Sequence, residues 1–449
     1  MKMSKSKLTL AVAGVVSALS MGVTTQEAEA ANWLMLQGTE SPGAVGRAKV
    51  WGFIQPEVQY TDGEKVAAGP WEGSNFAPNM IAPNLTSRAT FQMRRARIGV
   101  RGQGFPLDNK VNYFILSEFG NNGITNYSGA ALTDASVTLN HVPYARVRVG
   151  QFKYPGSEEG LQAIHVFNYT NFTNFTDQQL LERYLDADKA ANNSSDPMNG
   201  QNGPVGAFRD IGVQVFDTIK KGSWEHSYAL MVGNGNGINR SDNNGAKDTY
   251  LYWSSEQVYG GKGGRRDGLK LSAWQQKGER TITTSKGVEN FDRTRSGLGA
   301  TFRKGKIRAG AEYFMADGMI FNGTDGNAVP GSLAAGNAKV AAGTISGFQY
   351  LPDDKAKGWY ADIGYLVTPK IELDLRYDDY DRATETDASH RKLTNLTLGA
   401  QYFFNKKTRA VFNYEMRSAE APDLASTAAP NLIGEKMSDR ISVQLLAIF

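Results

Sequence analysis

Arginines recur at alternate positions in three stretches of the chain. Arg95, Arg97 and Arg101 are spaced by Ala96, Ile98, Gly99 and Val100; Arg146 and Arg148 flank Val147; Arg293 and Arg295 flank Thr294. In an extended chain, residues two apart share one face, so each group projects its guanidinium forks to the same side. Such a fork matches a carboxylate or phosphate in a two-point contact. Lys270 and Arg308 lie on further alternating stretches. These nine cations are candidates to guide anions by attraction, without making or breaking bonds. A second reading stays open beside it. Segment 154–207 carries Glu158, Glu159, Asp177 and Glu182, and the cations could pair with these acids and hold that segment in place.

Bond-making chemistry has less support. With no cysteine, thiolate nucleophiles, thiolate metal sites and disulfides are excluded. His141, His165, His226 and His390 are scattered and lack the spacing of zinc ligands. The stretch from Gly233 to Gly245 is rich in Gly, Asn and Asp, but it lacks both the strand–loop–helix setting of a nucleotide site and the terminal Glu of a calcium loop. Gly260 to Arg266 has no Ser or Thr after its Lys262, so it is no phosphate-binding loop of that type. No local nucleophile signature is present. The reading is a protein without enzyme chemistry, cofactor or metal. A net charge of +4 over 449 residues gives no basic footprint for nucleic acid.

The elements that must position the cations are strands. Ile371, Leu373, Leu375 and Tyr377 alternate with Glu372, Asp374, Arg376 and Asp378, and similar alternation recurs from Val50 onward. About 16 strands are predicted, at 50–60, 88–102, 109–119, 132–141, 145–153, 208–216, 224–232, 248–257, 269–277, 292–303, 306–315, 358–367, 370–379, 392–404, 408–418 and 437–449. Most are near the 9–11 residues that cross a bilayer when tilted. Their connections alternate between short ones, such as 304–305 and 368–369, and long ones, such as 61–87, 154–207 and 316–357. The turn 258–268 is longer than this scheme expects, and 339–350 is a candidate for an extra hairpin within its loop. Tyr60, Phe119, Trp224, Tyr259, Trp359, Tyr365, Tyr377 and Phe404 sit near strand ends, where interfacial rings belong. A mean hydropathy of −0.41 does not oppose this, because inward polar residues dilute outward apolar ones. The fold class is therefore all-β: a transmembrane antiparallel barrel occupying residues 50–449, with short turns on one rim and long loops on the other.

The N-terminus reads as an export signal. Lys2, Lys5 and Lys7 precede an apolar stretch from Leu8 to Val23, and Ala28-Glu29-Ala30 forms a small-x-small cleavage site. Residues 1–30 are expected to be removed, and 31–49 to form an N-terminal periplasmic segment before the first strand. No later apolar run is long enough for a spanning helix.

The final strand alternates Ile441, Val443, Leu445 and Ala447 and ends on Phe449, which resembles the signal read by the barrel-assembly machinery. More broadly, the chain resembles the phosphate-selective porin O/P family. The residues that carry the likeness are RRARIGVRGQGFPLDNKVNYFILSEFG (94–120), ASVTLNHVPYARVRVGQFKYPGSEEGLQ (135–162), RDIGVQVF (209–216), YALMVGNGNGINRSDNN (228–244) and LTLGAQYFFNKKTRAVFNYE (396–415). The resemblance implies a 16-stranded homotrimer in the bacterial outer membrane, with a long third loop, 154–207, folded into the lumen as a constriction. That loop departs from phosphate-selective members: its acids, Glu158, Glu159, Asp177, Glu182, Asp186 and Asp188 among them, outnumber Arg183 and Lys189.

Strand alternation also places Arg303, Lys306, Arg376, Arg409 and Arg417 inward, against Glu118, Asp134, Asp210, Glu312, Asp362, Glu372, Asp374, Asp378 and Glu415. The basic groups concentrate on the second, fifth, tenth and eleventh predicted strands and the acids on the twelfth and thirteenth. The expectation is a passive channel for small anionic or neutral hydrophilic solutes, with a weak anion preference and phosphate as one candidate. The alternative is a barrel sheathing an outer-membrane electron-transfer cytochrome, which would need a wide lumen free of any infolded loop.

Overall fold

The computed structural model describes residues 32–37, 48–61, 67–68, 89–104, 108–120, 122, 125, 129–182, 206–284, 287–321 and 350–449. The expected signal segment with Ala28 and Ala30, residues 183–205 of the third loop, and residues 339–349 of the candidate hairpin lie outside them.

Sixteen strands close into one antiparallel barrel in which each pairs with its sequence neighbours. They are β1 (Lys49–Thr61), β2 (Ala89–Gln103), β3 (Val111–Glu118), β4 (Ala131–Leu139), β5 (Arg146–Lys153), β6 (Arg209–Lys221), β7 (Trp224–Gly233), β8 (Asp248–Gly260), β9 (Asp267–Thr284), β10 (Gly287–Lys304), β11 (Ile307–Asp317), β14 (Lys355–Thr368), β15 (Ile371–Arg382), β16 (Arg391–Phe403), β17 (Thr408–Glu420) and β18 (Arg440–Ile448). A separate pair, β12 (Ile320–Phe321) and β13 (Tyr350–Leu351), forms a small sheet in a long loop. Three short α-helices are described: α1 (Trp33–Leu36), α2 (Glu158–Leu161) and α3 (Ala429–Gly434).

The alternation is inverted relative to a water-soluble sheet. On β15, Ile371, Leu373 and Leu375 are exposed while Glu372, Asp374 and Arg376 are buried. The same holds for exposed Ile98, Val149, Leu230, Leu271, Leu298, Leu398 and Val443 on other strands. An apolar exterior around a charged interior suits a wall between lipid and an aqueous lumen. Of the eight expected rim aromatics, seven are exposed, and Tyr377 instead packs on Trp359 at 5.4 Å between ring centroids.

Closure rests on β1 and β18. Gly52 donates its backbone N–H to the Phe449 carbonyl at 3.2 Å, and the Phe449 N–H donates back to Gly52 at 3.0 Å. A Cβ on Gly52 would lie 2.4 Å from the Phe449 ring, so the terminal aromatic seats only over a glycine.

Three sequence expectations change. The loop expected at 278–291 is mostly strand, since β9 and β10 are 18 residues each. Polar residues such as Glu279 and Asn290 interrupt the apolar alternation there, yet backbone pairing continues without it. The turn at 258–268 shortens to 261–266 as β8 and β9 extend. Lys306, expected inward, is exposed in the β10–β11 turn.

Candidate functional site

Residues 154–182 leave the end of β5 and run across the barrel interior. Local sequence starts the path: the Ser157 hydroxyl accepts from the Gly160 N–H at 3.0 Å and so caps α2. Beyond it, aromatic side chains bury themselves instead of facing a solute. Phe175 stacks on Phe314 at 4.7 Å, Phe172 meets Phe208 edge-on at 5.3 Å, and Tyr154 stacks on Tyr250 at 4.9 Å. A π-helical turn, Thr176–Leu180, contains the buried Asp177.

Polar contacts then tie this segment to distant strands. The Thr170 N–H donates to Asn413 on β17 at 2.7 Å, Asn171 donates to Glu415 at 2.8 Å, and the Asn174 N–H donates to Asp378 on β15 at 3.0 Å. Arg94 bridges Glu57 and Asn171, each at 2.8 Å. Because these partners lie on opposite strands of a closed barrel, the segment occupies the lumen.

Its acids meet the strand cations. Glu158 pairs with Lys270 at 2.5 Å, Glu159 with Arg376 at 3.1 Å, and Glu182 with both Arg280 and Arg293. Burial opposes ionisation of Glu182, but Arg280, then Arg293 and Arg295, outweigh it and hold its carboxyl down at about 2. Arg293 also pairs with Asp248.

The nine candidate cations divide by partner. Arg97 pairs with Glu118 at 2.6 Å and Arg146 with Asp217 at 3.3 Å. Arg308 sits among Asp362, Glu372 and Asp374, at 3.2 Å from Glu372 and 2.5 Å from Asp374. Where alternation pointed to an acidic wall, three of its carboxylates thus surround one guanidinium. Arg95 donates to Gln55 at 3.2 Å, and Arg148 to Thr138 at 3.2 Å and to the Gln37 carbonyl. Arg295 donates to the carbonyls of Thr294, Gly318 and Met319. Arg101, half-buried, donates to the Leu36 carbonyl at 3.4 Å.

Several interior groups escaped the alternation reading. Arg94 is fully buried beside Arg95 because the ladder skips a residue opposite Gln55 and Pro56. Proline has no N–H for the ladder, and a bulge there turns two consecutive side chains inward; Pro56 was the available signal. The turn arginines were missed as well. Arg266 pairs with Glu225 at 2.5 Å and Glu256 at 2.7 Å, while Arg265 donates to Asn168 at 2.7 Å. The N-terminal segment also lies inside. Trp33, Leu34 and Met35 are buried, Asn32 donates to Ser227 at 2.6 Å, and Gln37 donates to the Leu161 carbonyl at 3.3 Å. Trp33 separates two cavities and lines both. One has Arg265, Lys270, Arg308, Glu158 and Glu159 in its wall; the other lies on the β1–β5 side.

Among the described residues, the buried set contains 17 basic and 17 acidic side chains. The interior is therefore charged but balanced, and any preference between ions arises locally. This arrangement can admit, orient and pass hydrated solutes. Among the described residues no cluster of His, Asp and Glu is suited to a metal ion.

Comparison with known proteins is consistent with this geometry. The family profile described as Gram-negative porin matches residues 8–421. No curated protein matches the chain. Among solved structures, OmpF of Salmonella typhi in complex with daunomycin aligns with a TM-score of 0.53 at 11% identity, covering 90% of this chain and 97% of that one. An anion-selective porin from Comamonas acidovorans aligns with a TM-score of 0.50 at 16% identity, covering 90% and 99%. A loop-deletion mutant of OmpT, an outer-membrane protein of Vibrio cholerae, gives 0.50 at 10% identity, covering 90% and 100%. At these identities the structures are alike in fold.

Proposed function

The chain belongs to the Gram-negative porin family and is an outer-membrane channel; on that premise we propose that it passes small hydrophilic solutes passively, with a weak preference for anions. The observation that carries this reading is the lumen itself. A charged interior is divided by an infolded segment and flanked by two cavities that share Trp33 as a lining residue. Its equal numbers of buried acids and bases argue for weak selectivity. The lean toward anions comes from Arg95, Arg148 and Arg295, whose hydrogen bonds above go to neutral oxygens.

The segment 154–207 is the constriction in this reading, and the acids Glu158, Glu159 and Glu182 hold it against the wall. Arg97, Arg146, Arg293 and Arg308 then act first as structural partners of carboxylates. Phosphate is one of the anions that the channel passes. Phe449, seated at the β1–β18 closure, is the proposed assembly signal for the barrel-assembly machinery. The resemblance noted in the sequence supports a homotrimer. A lumen occupied by residues 154–182 and α1 leaves no bore for an enclosed cytochrome.

The test is the reversal potential of the purified trimer in a planar bilayer under a KCl gradient, followed by phosphate titration. A small anion-favouring potential supports the reading. A cation-favouring one removes the anion preference, and folded protein without conductance removes the proposed solute passage. Block by phosphate well below the concentration of KCl would make the channel phosphate-specific instead of general.

A further inference from the structure

The cavity of about 200 Å³ between Trp33 and strands β1–β5 differs from the rest of the lumen. Its wall brings five cations, Arg97, Arg101, Arg148, Lys153 and Arg209, against a single carboxylate, Asp134. Asp134 is engaged by Arg209 at 3.0 Å, and Arg97 is engaged by Glu118. Lys153 donates to the carbonyls of Gly160 and Gln162 at 2.7 and 2.8 Å. Arg148 likewise donates to the neutral oxygens of Thr138 and Gln37. The charge of these two groups is oriented but not cancelled by those bonds, so the cavity favours an anion.

The remaining wall is mostly aromatic and aliphatic, joined by Gln37, Ser136 and His165, the last at 5.7 Å from the Trp51 ring. Trp51 stacks with Phe114 at 6.0 Å between centroids and lies 6.3 Å from Phe53. The guanidinium carbons of Arg101 and Arg97 sit 5.6 Å and 5.8 Å from the Phe114 and Phe53 ring centres. A strongly hydrated inorganic anion gains nothing from such a surface. A flat apolar body carrying one carboxylate satisfies both halves of it.

We propose that this cavity is a binding subsite for small aromatic carboxylates, with benzoate as the minimal probe. The carboxylate pairs with Arg148 and Lys153, and the ring lies against Trp51 and Phe114. α1 completes the cavity, contributing Trp33 and Leu36. The proposal rests on the channel reading for its role in solute passage, whereas binding alone needs access to the lumen from one rim.

Two measurements on the full-length folded protein separate the outcomes. Intrinsic tryptophan fluorescence reads binding of benzoate, acetate and phosphate to the protein in detergent. Block of KCl current in a planar bilayer reads the same ligands during conduction. Burial of the ring predicts that benzoate binds and blocks at concentrations at least about ten-fold below acetate. Phe114→Ala should bring the two within about three-fold, and Arg148→Gln should weaken both about ten-fold. Lys357→Gln, exposed near the long-loop rim, serves as the control. Heat-modifiable migration on gels reports folding of each variant, and the wild-type comparison stands even where a variant fails to fold. Equal affinity for acetate and benzoate, or tighter binding of phosphate than benzoate, overturns the subsite. Conductance without block by any ligand overturns it and leaves the channel intact. Saturable benzoate binding without conductance overturns the channel reading and leaves the subsite.

Discussion

Replacing Arg376 by Met should unseat the infolded segment while leaving the barrel closed. Arg376 and Glu159 form an ion pair at 3.1 Å with side chains 1% and 4% exposed, so solvent screens it little. Arg376 also donates to the Asn171 carbonyl at 3.0 Å and lies 4.3 Å from the Tyr169 ring centre. Removing one member of a buried pair costs about 3–5 kcal/mol, because the other charge is left uncompensated. At about 1.4 kcal/mol per factor of ten, the seated-to-released ratio falls by roughly 100-fold to a few thousand-fold.

A pH signature identifies the cause. Burial already pushes the Glu159 carboxyl above its ordinary value with Arg376 in place, and loss of the guanidinium lifts it further. A seated carboxyl with a raised pKa takes up a proton more readily than the released one. Its contribution to seating is therefore present at low pH and is lost as pH rises through the seated value. In the variant, chymotrypsin should cut at Tyr169, Phe172 or Phe175 faster than in wild type, with the excess growing as pH rises across the range in which the barrel stays folded. Single-channel current should become noisier over the same range. Adding Glu159→Gln, which removes the stranded charge, should recover part of the protection and flatten the pH dependence. Wild-type cleavage rates in the single variant at both ends of the range, with no gain in the double variant, would refute the assignment of Arg376 and Glu159 as an anchor.

Three further outcomes follow from the geometry. Gly52→Ala places a Cβ 2.4 Å from both the Arg97 carbonyl oxygen and the Phe449 ring, so assembly of the heat-modifiable barrel should drop sharply on gels. Trp33→Ala removes the partition between the two cavities and should raise unit conductance; Gly264→Val, whose Cβ would lie 2.6 Å from the Trp33 ring, should do the same from the other side. Unchanged conductance in both would mean that neither cavity lies on the solute path. Glu182 is held at about 2, below the ordinary value of roughly 4.3, so its anchoring is intact above that value and disappears as pH falls toward 2. Acid-induced current noise in that window should be absent in Glu182→Gln, and its persistence there would assign the acid step to another group.

Much of the architecture was legible because strand alternation is a local property. Whether Leu373 faces lipid and Asp374 the lumen follows from the pleat of one strand, and each of the 16 predicted strands has a counterpart in the closed barrel. Alternation failed where its physical cause was absent. Polar Glu279 and Asn290 interrupt the apolar alternation, although their backbones pair across β9 and β10. At Pro56 the missing N–H offsets the ladder and turns Arg94 inward with Arg95, a consequence visible only when β1 is laid against β2.

The partners inside the lumen were beyond any local rule. Alternation placed Arg376 inward, but its carboxylate belongs to Glu159, 217 residues away on a segment without strand periodicity. Likewise, nothing in the spacing of Asn32 to Gln37 shows that this short stretch returns to pack beside Arg148 and Leu161. The sequence by itself determined the facing of the regularly alternating strand residues and that the interior is charged, since both follow from nearest-neighbour geometry. Which charges cancel, which stay available to a solute, and where the lumen is partitioned were decided by the tertiary structure. Burying a charge in so confined a space is tolerated only beside an opposite charge or an oriented dipole, and barrel closure with the infolded segment brings those groups together.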